Sequence, residues 1–156
     1  YYNYKNTGRP GPKNEVFWSH YNDEVNSPLY PFGYGLSYTT FEYSNMQIDN
    51  KILEKGNSIK VSIELKNTGK LTGKEVVQLY IKDRFASVTR PVRELKGFEL
   101  VELMPGETKN IKFKISEPLL RFYSANEVWE SEAGKFDVFI GTNSNAYLKE
   151  TFELIK

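Results

Sequence analysis

The strictest pattern in this chain is the alternation of apolar and polar residues over Ser58–Asn67. Ile59, Val61, Ile63 and Leu65 fall on one side of an extended chain, and lysine, serine and glutamate fall on the other. Because the side chains of a strand point alternately to its two faces, this pattern predicts a strand with one buried face and one solvent-facing face. Such strands are typical of antiparallel sheets that cover a core on one side only.

Further segments with strand character follow from Ser37 onward. Turn-forming residues separate them at Asn67–Lys70, at Met104–Gly106 in a hairpin-like position, and at Asn143–Asn145. Lys74–Asp83 is apolar on parts of both faces, which predicts a central strand or one whose outer side is covered. The other predicted strands are Val92–Leu103, Glu107–Ser116, Leu119–Tyr123, Val128–Trp129, Lys135–Gly141 and Tyr147–Ile155. Seven or eight short strands with almost no helical period predict an all-β, two-sheet antiparallel sandwich.

Residues 1–36 have a different character, since glycine and proline interrupt any helical or strand period. The stretch still carries many apolar anchors: Phe17, Trp18, Tyr21, Leu29, Tyr30, Phe32 and Tyr34. We therefore expect an irregular N-terminal arm over residues 1–36 that packs against the following domain or against another one, and a sandwich domain over residues 37–156. Within the arm, Pro31 stiffens the chain, and Gly33 and Gly35 permit tight backbone conformations.

Composition excludes several classes of function. The 156 residues contain no cysteine, which excludes disulfides, thiolate catalysis and cysteine-based metal sites. The 21 Lys and Arg residues balance 20 Asp and Glu residues, so no electrostatic attraction to nucleic acid or to an anionic membrane is expected. No apolar run reaches the roughly 20 residues that span a bilayer. No signal peptide is visible, and the first residue is Tyr1 and not an initiator methionine. We therefore expect either a processed product or a fragment, and we favour a fragment.

Few residues are candidates for catalysis. The single histidine, His20, lies in an aromatic loop without a Gly-x-Ser-x-Gly elbow, and no phosphate-binding or calcium-binding spacing occurs. We therefore expect no catalytic residue, metal site or cofactor. Two carboxylate pairs, Glu94 with Glu99 and Glu130 with Glu132, fall where strand alternation turns charges outward. We interpret them as a solvated charged face rather than as a glycosidase pair.

Exposed aromatic residues are the binding feature that composition does not exclude, because their rings can stack on sugar rings. Trp18 and Trp129 are the best candidates. For Trp129, which lies between Val128 and Glu130, we expect packing in the core instead.

Several segments resemble the C-terminal region of family 3 glycoside hydrolases. Residues 29–41 (LYPFGYGLSYTTF) resemble the junction between the second catalytic domain and a fibronectin type III-like domain. Residues 75–83 (EVVQLYIKD) resemble a signature strand of that domain. The next hairpin of the domain is resembled by residues 90–99 (RPVRELKGFE), followed by residues 103–107 (LMPGE). Residues 2–10 (YNYKNTGRP) resemble the segment that leads out of the second catalytic domain. The resemblance covers essentially the whole chain in the correct order.

This resemblance implies an immunoglobulin-like or fibronectin type III-like sandwich, preceded over residues 1–36 by the tail of a catalytic α/β domain and a linker. The implied parent is a retaining enzyme of the β-glucosidase or β-xylosidase kind. Its Asp nucleophile lies in an N-terminal barrel and its Glu acid/base in the α/β domain, and no position of this sequence matches either catalytic motif. The expected partners are those two domains of the same chain, with oligosaccharide bound only through them, and the expected compartment is the periplasm or the exterior.

The resemblance also implies a role, that of a structural brace for the catalytic domains. The residues expected to form this interdomain brace are Tyr30, Pro31, Phe32, Gly33, Tyr34, Gly35 and Tyr38. The loop Trp18–Asp23 lies where family members pass the second domain, which makes Trp18, Tyr21 and Asp23 candidate sugar-contacting residues. The alternative functions are a carbohydrate- or surface-binding module that uses exposed aromatic residues, and an adhesion-type sandwich that binds proteins.

Overall fold

The computed structural model describes residues 28–146 and 148–156 of the chain. Within this part, ten strands and one short 3-10 helix follow one another. The strands are β1 (Phe41–Ile48), β2 (Ile52–Glu54), β3 (Ser58–Asn67), β4 (Gly73–Asp83), β5 (Glu94–Leu103), β6 (Thr108–Ser116), β7 (Phe122–Tyr123), β8 (Trp129–Glu130), β9 (Gly134–Gly141) and β10 (Leu148–Ile155), and the 3-10 helix spans Glu117–Leu120.

The strands form two main sheets. The smaller sheet has the order β1-β3-β6, the larger has the order β2-β10-β9-β4-β5, and β7 pairs with β8 as a separate ribbon. Among the described residues, the paired strands are antiparallel except for β2 with β10, which are parallel. The predicted all-β sandwich is confirmed, with that one parallel pair at the edge of the larger sheet.

The core lies between the two main sheets. The alternation that predicted β3 is confirmed over its full length, because Ile59, Val61, Ile63 and Leu65 are all buried. They belong to the same apolar cluster as inward-facing residues of the larger sheet, which include Val77, Leu79, Ile81, Leu103, Phe136, Val138, Ile140, Phe152 and Leu154. Removal of this apolar surface from water is the main force that holds the sheets together.

Two differences between the predicted strands and the structure have local reasons. The strand expected over Leu119–Tyr123 begins only at Phe122, because a 3-10 helix with Pro118 in its first turn precedes it. Proline is suited to the first turn of a helix, because the N–H groups of that turn have no hydrogen-bond acceptor within the helix and the N–H that proline lacks is not needed. Strand β1 was not predicted at all. A β-bulge between Ser44 and Gln47, with Asn45 at a φ of 51°, breaks the alternation that would have revealed it.

The turn at Met104–Gly106 forms as predicted, but it does not close a hairpin. The Glu107 N–H donates to the Met104 carbonyl at 3.0 Å, and Gly106 has a φ of 78°. The strands on either side pair elsewhere, β5 with β4 and β6 with β3. The chain therefore crosses here from the larger sheet to the smaller one. The same turn chemistry serves both kinds of connection, so the expectation of a hairpin was wrong.

Asn67, at the end of β3, is completely buried beside this crossover. Its Nδ2 donates to the carbonyls of Leu71 and Leu103 at 2.8 and 3.0 Å. Its Oδ1 accepts hydrogen bonds from Thr39 Oγ1 at 2.8 Å and from the Gly69 N–H at 3.0 Å. One side-chain amide thus joins the end of β5, the β3–β4 connection and the segment that enters β1.

We expect Asn67→Ala to lower the free energy of unfolding by about 3 kcal/mol, because it removes four hydrogen bonds and leaves buried backbone groups unpaired. Urea denaturation of the chain measures this change. Asn110→Ala, at an exposed position of β6, is the matched control and is expected to change stability by less than about 0.5 kcal/mol. Equal effects of the two substitutions would contradict this role for Asn67.

Candidate functional site

The segment that leads into the sandwich, residues 28–36, lies over the outer face of β4, and we call it the entry strap. Gln78 Nε2 donates to the Gly33 carbonyl at 3.0 Å and to the Thr142 carbonyl at 2.6 Å. The Phe32 carbonyl accepts from the Ser144 N–H at 2.8 Å and from the Tyr80 hydroxyl at 3.4 Å. The strap is therefore held by its backbone, through β4 and the β9–β10 turn.

A tight turn shapes the strap at this anchor. The Tyr34 N–H donates to the Pro31 carbonyl at 3.0 Å, and Gly33 has a φ of 78°, a conformation that favours glycine. A Cβ atom added at Gly33 would lie 2.0 Å from Gln78 Oε1. Gly33 is thus required both by the turn and by the close approach of Gln78. Gly35 has no positive φ and no such close neighbour, so the conformational freedom of glycine is used at Gly33 and not at Gly35.

Besides these hydrogen bonds, an aromatic contact between Phe32 and Tyr80 joins the strap to β4. Their rings meet edge to face, with centroids 6.5 Å apart. Gln78 and Tyr80 are buried although both lie on the outer side of the sheet, and β4 lies between β9 and β5. The two alternatives predicted for β4, a central strand or a covered outer side, therefore both apply. Burial raises the pKa of Tyr80 to about 12, more than the nearby Arg93 lowers it. The hydroxyl therefore remains a hydrogen-bond donor at neutral pH.

Arg93 fixes the turn that supplies Ser144. Its Nη1 donates to the carbonyls of Ser144 and Ala146 at 2.8 and 2.7 Å. The guanidinium also lies 3.8 Å from the ring centroid of Phe139, a cation–π contact on the outer face of β9. The β9–β10 turn predicted at Asn143–Asn145 is confirmed by the bond from the Ala146 N–H to the Asn143 carbonyl at 3.0 Å.

The other large side chains of the strap are exposed. Tyr30 and Tyr34 contact each other, with ring centroids 5.2 Å apart, and both are exposed. Leu36 and, just after the strap, Tyr38 are 90% and 97% exposed. Of the predicted brace residues, Phe32 and Gly33 therefore contact this domain, whereas Tyr30, Tyr34 and Tyr38 are exposed.

Of the residues considered for contact with sugars, Trp129 is the one that lies within the described part of the chain. Trp18, Tyr21 and Asp23, like His20, lie outside the described residues. Trp129 is 65% exposed, so the expectation that it packs in the core was wrong. It lies directly opposite Tyr123 in the β7–β8 ribbon, which puts both on one face. The buried aromatic residue of this ribbon is Phe122. The strands β7 and β8 have two residues each, which is too few for the alternation of buried and exposed side chains to be visible in the sequence.

One member of each carboxylate pair considered for catalysis, Glu94 and Glu130, is engaged in structural contacts. Glu94 accepts Arg90 Nη2 at 2.7 Å and Lys96 Nζ at 2.6 Å. Glu130 accepts the Ser124 hydroxyl at 2.7 Å, and this bond, with one from Asn126, lowers the pKa of Glu130. A carboxyl with a lowered pKa is a poor general acid.

Two carboxyls of the described residues have raised pKa values, and both lie on β4. Burial raises the pKa of Glu75, an effect opposed by a 2.7 Å hydrogen bond from the Tyr43 hydroxyl. Burial also raises the pKa of Asp83 to about 6. They are eight positions apart on one strand, a separation of about 26 Å, whereas the carboxyls of a glycosidase pair lie about 5–10 Å apart. Glu75 and Asp83 therefore do not form such a pair.

Within residues 28–146 and 148–156, no group of three histidine, cysteine, aspartate or glutamate side chains is placed to hold a metal ion. The same residues include no helix long and apolar enough to cross a membrane.

Asp83 makes stability depend on pH. Its folded-state pKa of about 6 exceeds the ordinary value of 3.8, so the folded chain binds the proton more tightly. The resulting stability is fully present below about pH 4 and is lost as the pH rises through about 6. The substitution Asp83→Asn tests this dependence. The asparagine side chain cannot ionise, but it keeps an oxygen that can accept the hydrogen bond that the Phe85 N–H donates to Asp83 at 3.2 Å. We expect urea denaturation to show the variant gaining stability over the native chain between about pH 4.5 and about pH 7.5. Parallel profiles would contradict the burial of this carboxyl.

Comparison with known proteins agrees with the fold. Residues 75–144 match the family model of the fibronectin type III-like domain. Together with the two-sheet topology, this match defines the class of the chain as a fibronectin type III-like sandwich.

Individual relatives and solved structures match more of the chain than the family model does. The chain is 45% identical to a periplasmic beta-glucosidase of Salmonella typhimurium, over 99% of this chain and 20% of the relative. It is 44% identical to a beta-xylosidase of Formosa agariphila, over 77% of this chain and 17% of the relative. The crystal structure of a beta-glucosidase from Listeria innocua in complex with glucose matches 100% of this chain and 22% of that one, with a TM-score of 0.90 and 41% identity. The chain thus spans about a fifth of the length of these relatives. The chain is thus similar to the fibronectin type III-like region of these glycoside hydrolases, which confirms the predicted resemblance to the C-terminal region of family 3 enzymes.

Proposed function

We propose that this chain is the non-catalytic fibronectin type III-like module of a retaining β-glucosidase-like enzyme, which removes terminal β-linked sugars from oligosaccharides. In this proposal the module braces the catalytic domains of the same longer chain, and the division between arm and sandwich falls between residues 36 and 37. The periplasmic relative supports a periplasmic or secreted location for the parent enzyme.

The observation that carries the proposal is the two-sided character of the strap. Its backbone is bonded to the sandwich at Phe32 and Gly33, while the side chains of Tyr30, Tyr34 and, just after the strap, Tyr38 are exposed. Burial of each large apolar or aromatic side chain contributes about 1.5–3 kcal/mol. Tyrosine suits such a contact, since its ring can be buried while its hydroxyl finds a partner. The proposed brace consists of residues 30–35 and Tyr38, held on one side by this domain and covered on the other by the catalytic part.

The test compares the full-length enzyme with the 156-residue chain. We expect Tyr34→Ala with Tyr38→Ala to shorten the half-life of glucosidase activity at an inactivating temperature, because the interdomain contact is lost. In the 156-residue chain, where both side chains are exposed, the same pair should change the free energy of unfolding by less than about 0.5 kcal/mol. This chain by itself should not hydrolyse nitrophenyl β-glucoside or β-xyloside.

Phe85→Ala, at an aromatic side chain that is 85% exposed, serves as the control in both proteins and should leave the half-life and the free energy of unfolding unchanged. An unchanged half-life of the Tyr34 and Tyr38 variant would overturn the brace. Turnover by the 156-residue chain that a single carboxylate substitution abolishes would overturn its non-catalytic assignment.

A second candidate function is carbohydrate binding, favoured by the exposed pair of Tyr123 and Trp129 on one face of the β7–β8 ribbon. Aromatic rings presented in this way can stack on sugar rings. This candidate predicts a calorimetric titration with cello-, xylo- or laminari-oligosaccharides that Trp129→Ala abolishes. The control is Trp129→Tyr, which keeps an aromatic ring and should retain part of the affinity. Titrations without heat would remove this candidate and leave the brace unaffected.

A further inference from the structure

We infer that the enzyme module has a second docking surface for the catalytic part of the same chain, formed by the outer side of β4 and β5. This surface, which we call the β4–β5 face, consists of Val76, Leu95, Phe98 and Leu100. The inference rests on the proposed function, because it names where else the braced partner lies against the sandwich.

Strand register places these four side chains together. Val76 of β4 pairs with Leu100 of β5, Gln78 with Phe98, and Tyr80 with Leu95. Since Gln78 and Tyr80 face the strap on the outer side of the sheet, their partners Phe98 and Leu95 lie on that side as well.

A β-bulge is needed for this arrangement. Leu95 and Phe98 are three positions apart, and regular alternation would put them on opposite faces. The register shifts between Leu79 and Tyr80, where Leu79 pairs with Gly97 and Tyr80 with Leu95, so that Lys96 is the extra residue. The bulge therefore brings a second large apolar side chain to the outer face. Lys96 itself pairs with Glu94 at 2.6 Å.

The β4–β5 face is apolar and uncovered within the described residues. Phe98 is 69% exposed and Leu100 is 60% exposed, and Val76 and Leu95 are partly exposed beside them. The outer side of the smaller sheet has the opposite character, with Lys60 opposite Lys114 and Ser62 opposite Lys112. That polar side is typical of a sheet that faces water, whereas contiguous exposed apolar side chains mark an interaction surface.

The strap indicates which partner covers this face. Its anchor at Gln78 lies directly beside Phe98 in the register, so the strap, through which the sandwich is joined to the preceding part of the chain, is fixed next to the β4–β5 face. In the relatives, about four-fifths of the chain lies outside the region matched here. A large partner tethered at this edge encounters the β4–β5 face at a high effective concentration, without the full cost of association. The occupant is therefore the catalytic part of the same chain.

The test introduces Phe98→Ser with Leu100→Ser into the full-length enzyme and into the 156-residue chain. In the full-length enzyme we expect the half-life of activity at an inactivating temperature to shorten by about threefold or more. In the 156-residue chain the melting temperature should remain unchanged, because both side chains are already exposed. Leu71→Ser with Met104→Ser, which replaces two other exposed apolar residues, is the matched control and should leave both proteins unchanged.

The outcomes separate this inference from the brace. If the Tyr34 and Tyr38 variant shortens the half-life and the Phe98 and Leu100 variant does not, the second surface is overturned and the brace stands. If neither variant has an effect, both fail. If the full-length enzyme is a dimer in sedimentation, and Phe98→Ser with Leu100→Ser converts it to monomers of unchanged half-life, the occupant is a second copy and the inference is overturned.

Discussion

The buried amide of Asn67 is the interaction on which the arrangement of the sandwich depends. A sandwich of two sheets requires the chain to cross between them, and such crossings leave backbone carbonyls with no strand partner. Asn67 satisfies two of these carbonyls, at Leu71 and Leu103, while its own oxygen accepts from Thr39 and Gly69. All its side-chain hydrogen-bonding groups are engaged in the absence of solvent, the condition in which a buried polar group specifies a structure rather than destabilising it.

The same amide also determines how the strap is presented. Thr39 is bonded to Asn67, whereas Phe32 and Gly33 are bonded to Ser144, Tyr80 and Gln78 on another part of the domain. The exposed stretch from Tyr34 to Tyr38 therefore runs between two fixed points. A segment held at both ends loses less conformational entropy on docking than a free arm does. The apolar side chains of this stretch are thus preorganised for a partner, although they contribute little to the domain itself.

Sequence patterns predicted correctly the features that depend on local alternation and turn chemistry. They did not predict which strands pair, because pairing depends on residues that are far apart in the sequence. The bounds of β3 and the chemistry of the turn at Gly106 are local, and both were predicted correctly. The partners of β5 and β6 are not local, and a hairpin was expected instead of a crossover. The anchor at Gln78 was missed because a glutamine on the outer side of a strand is normally solvated. Its signal was indirect: apolar residues on both faces of β4 indicated that something covers it.

The polar and apolar parts of this domain have separate roles. Its most buried polar side chains within the described residues, such as Asn67 and Glu117, are bonded to neighbouring connections and charges, so their hydrogen-bonding capacity is used in holding loops. The large exposed side chains of the strap and of the β4–β5 face are apolar or aromatic and contribute no acid, base or nucleophile suited to glycoside hydrolysis. A surface of this kind gains free energy only by being covered. In the proposed function these exposed side chains supply a contact, and the domain would affect catalysis only through the stability of the partner that it covers.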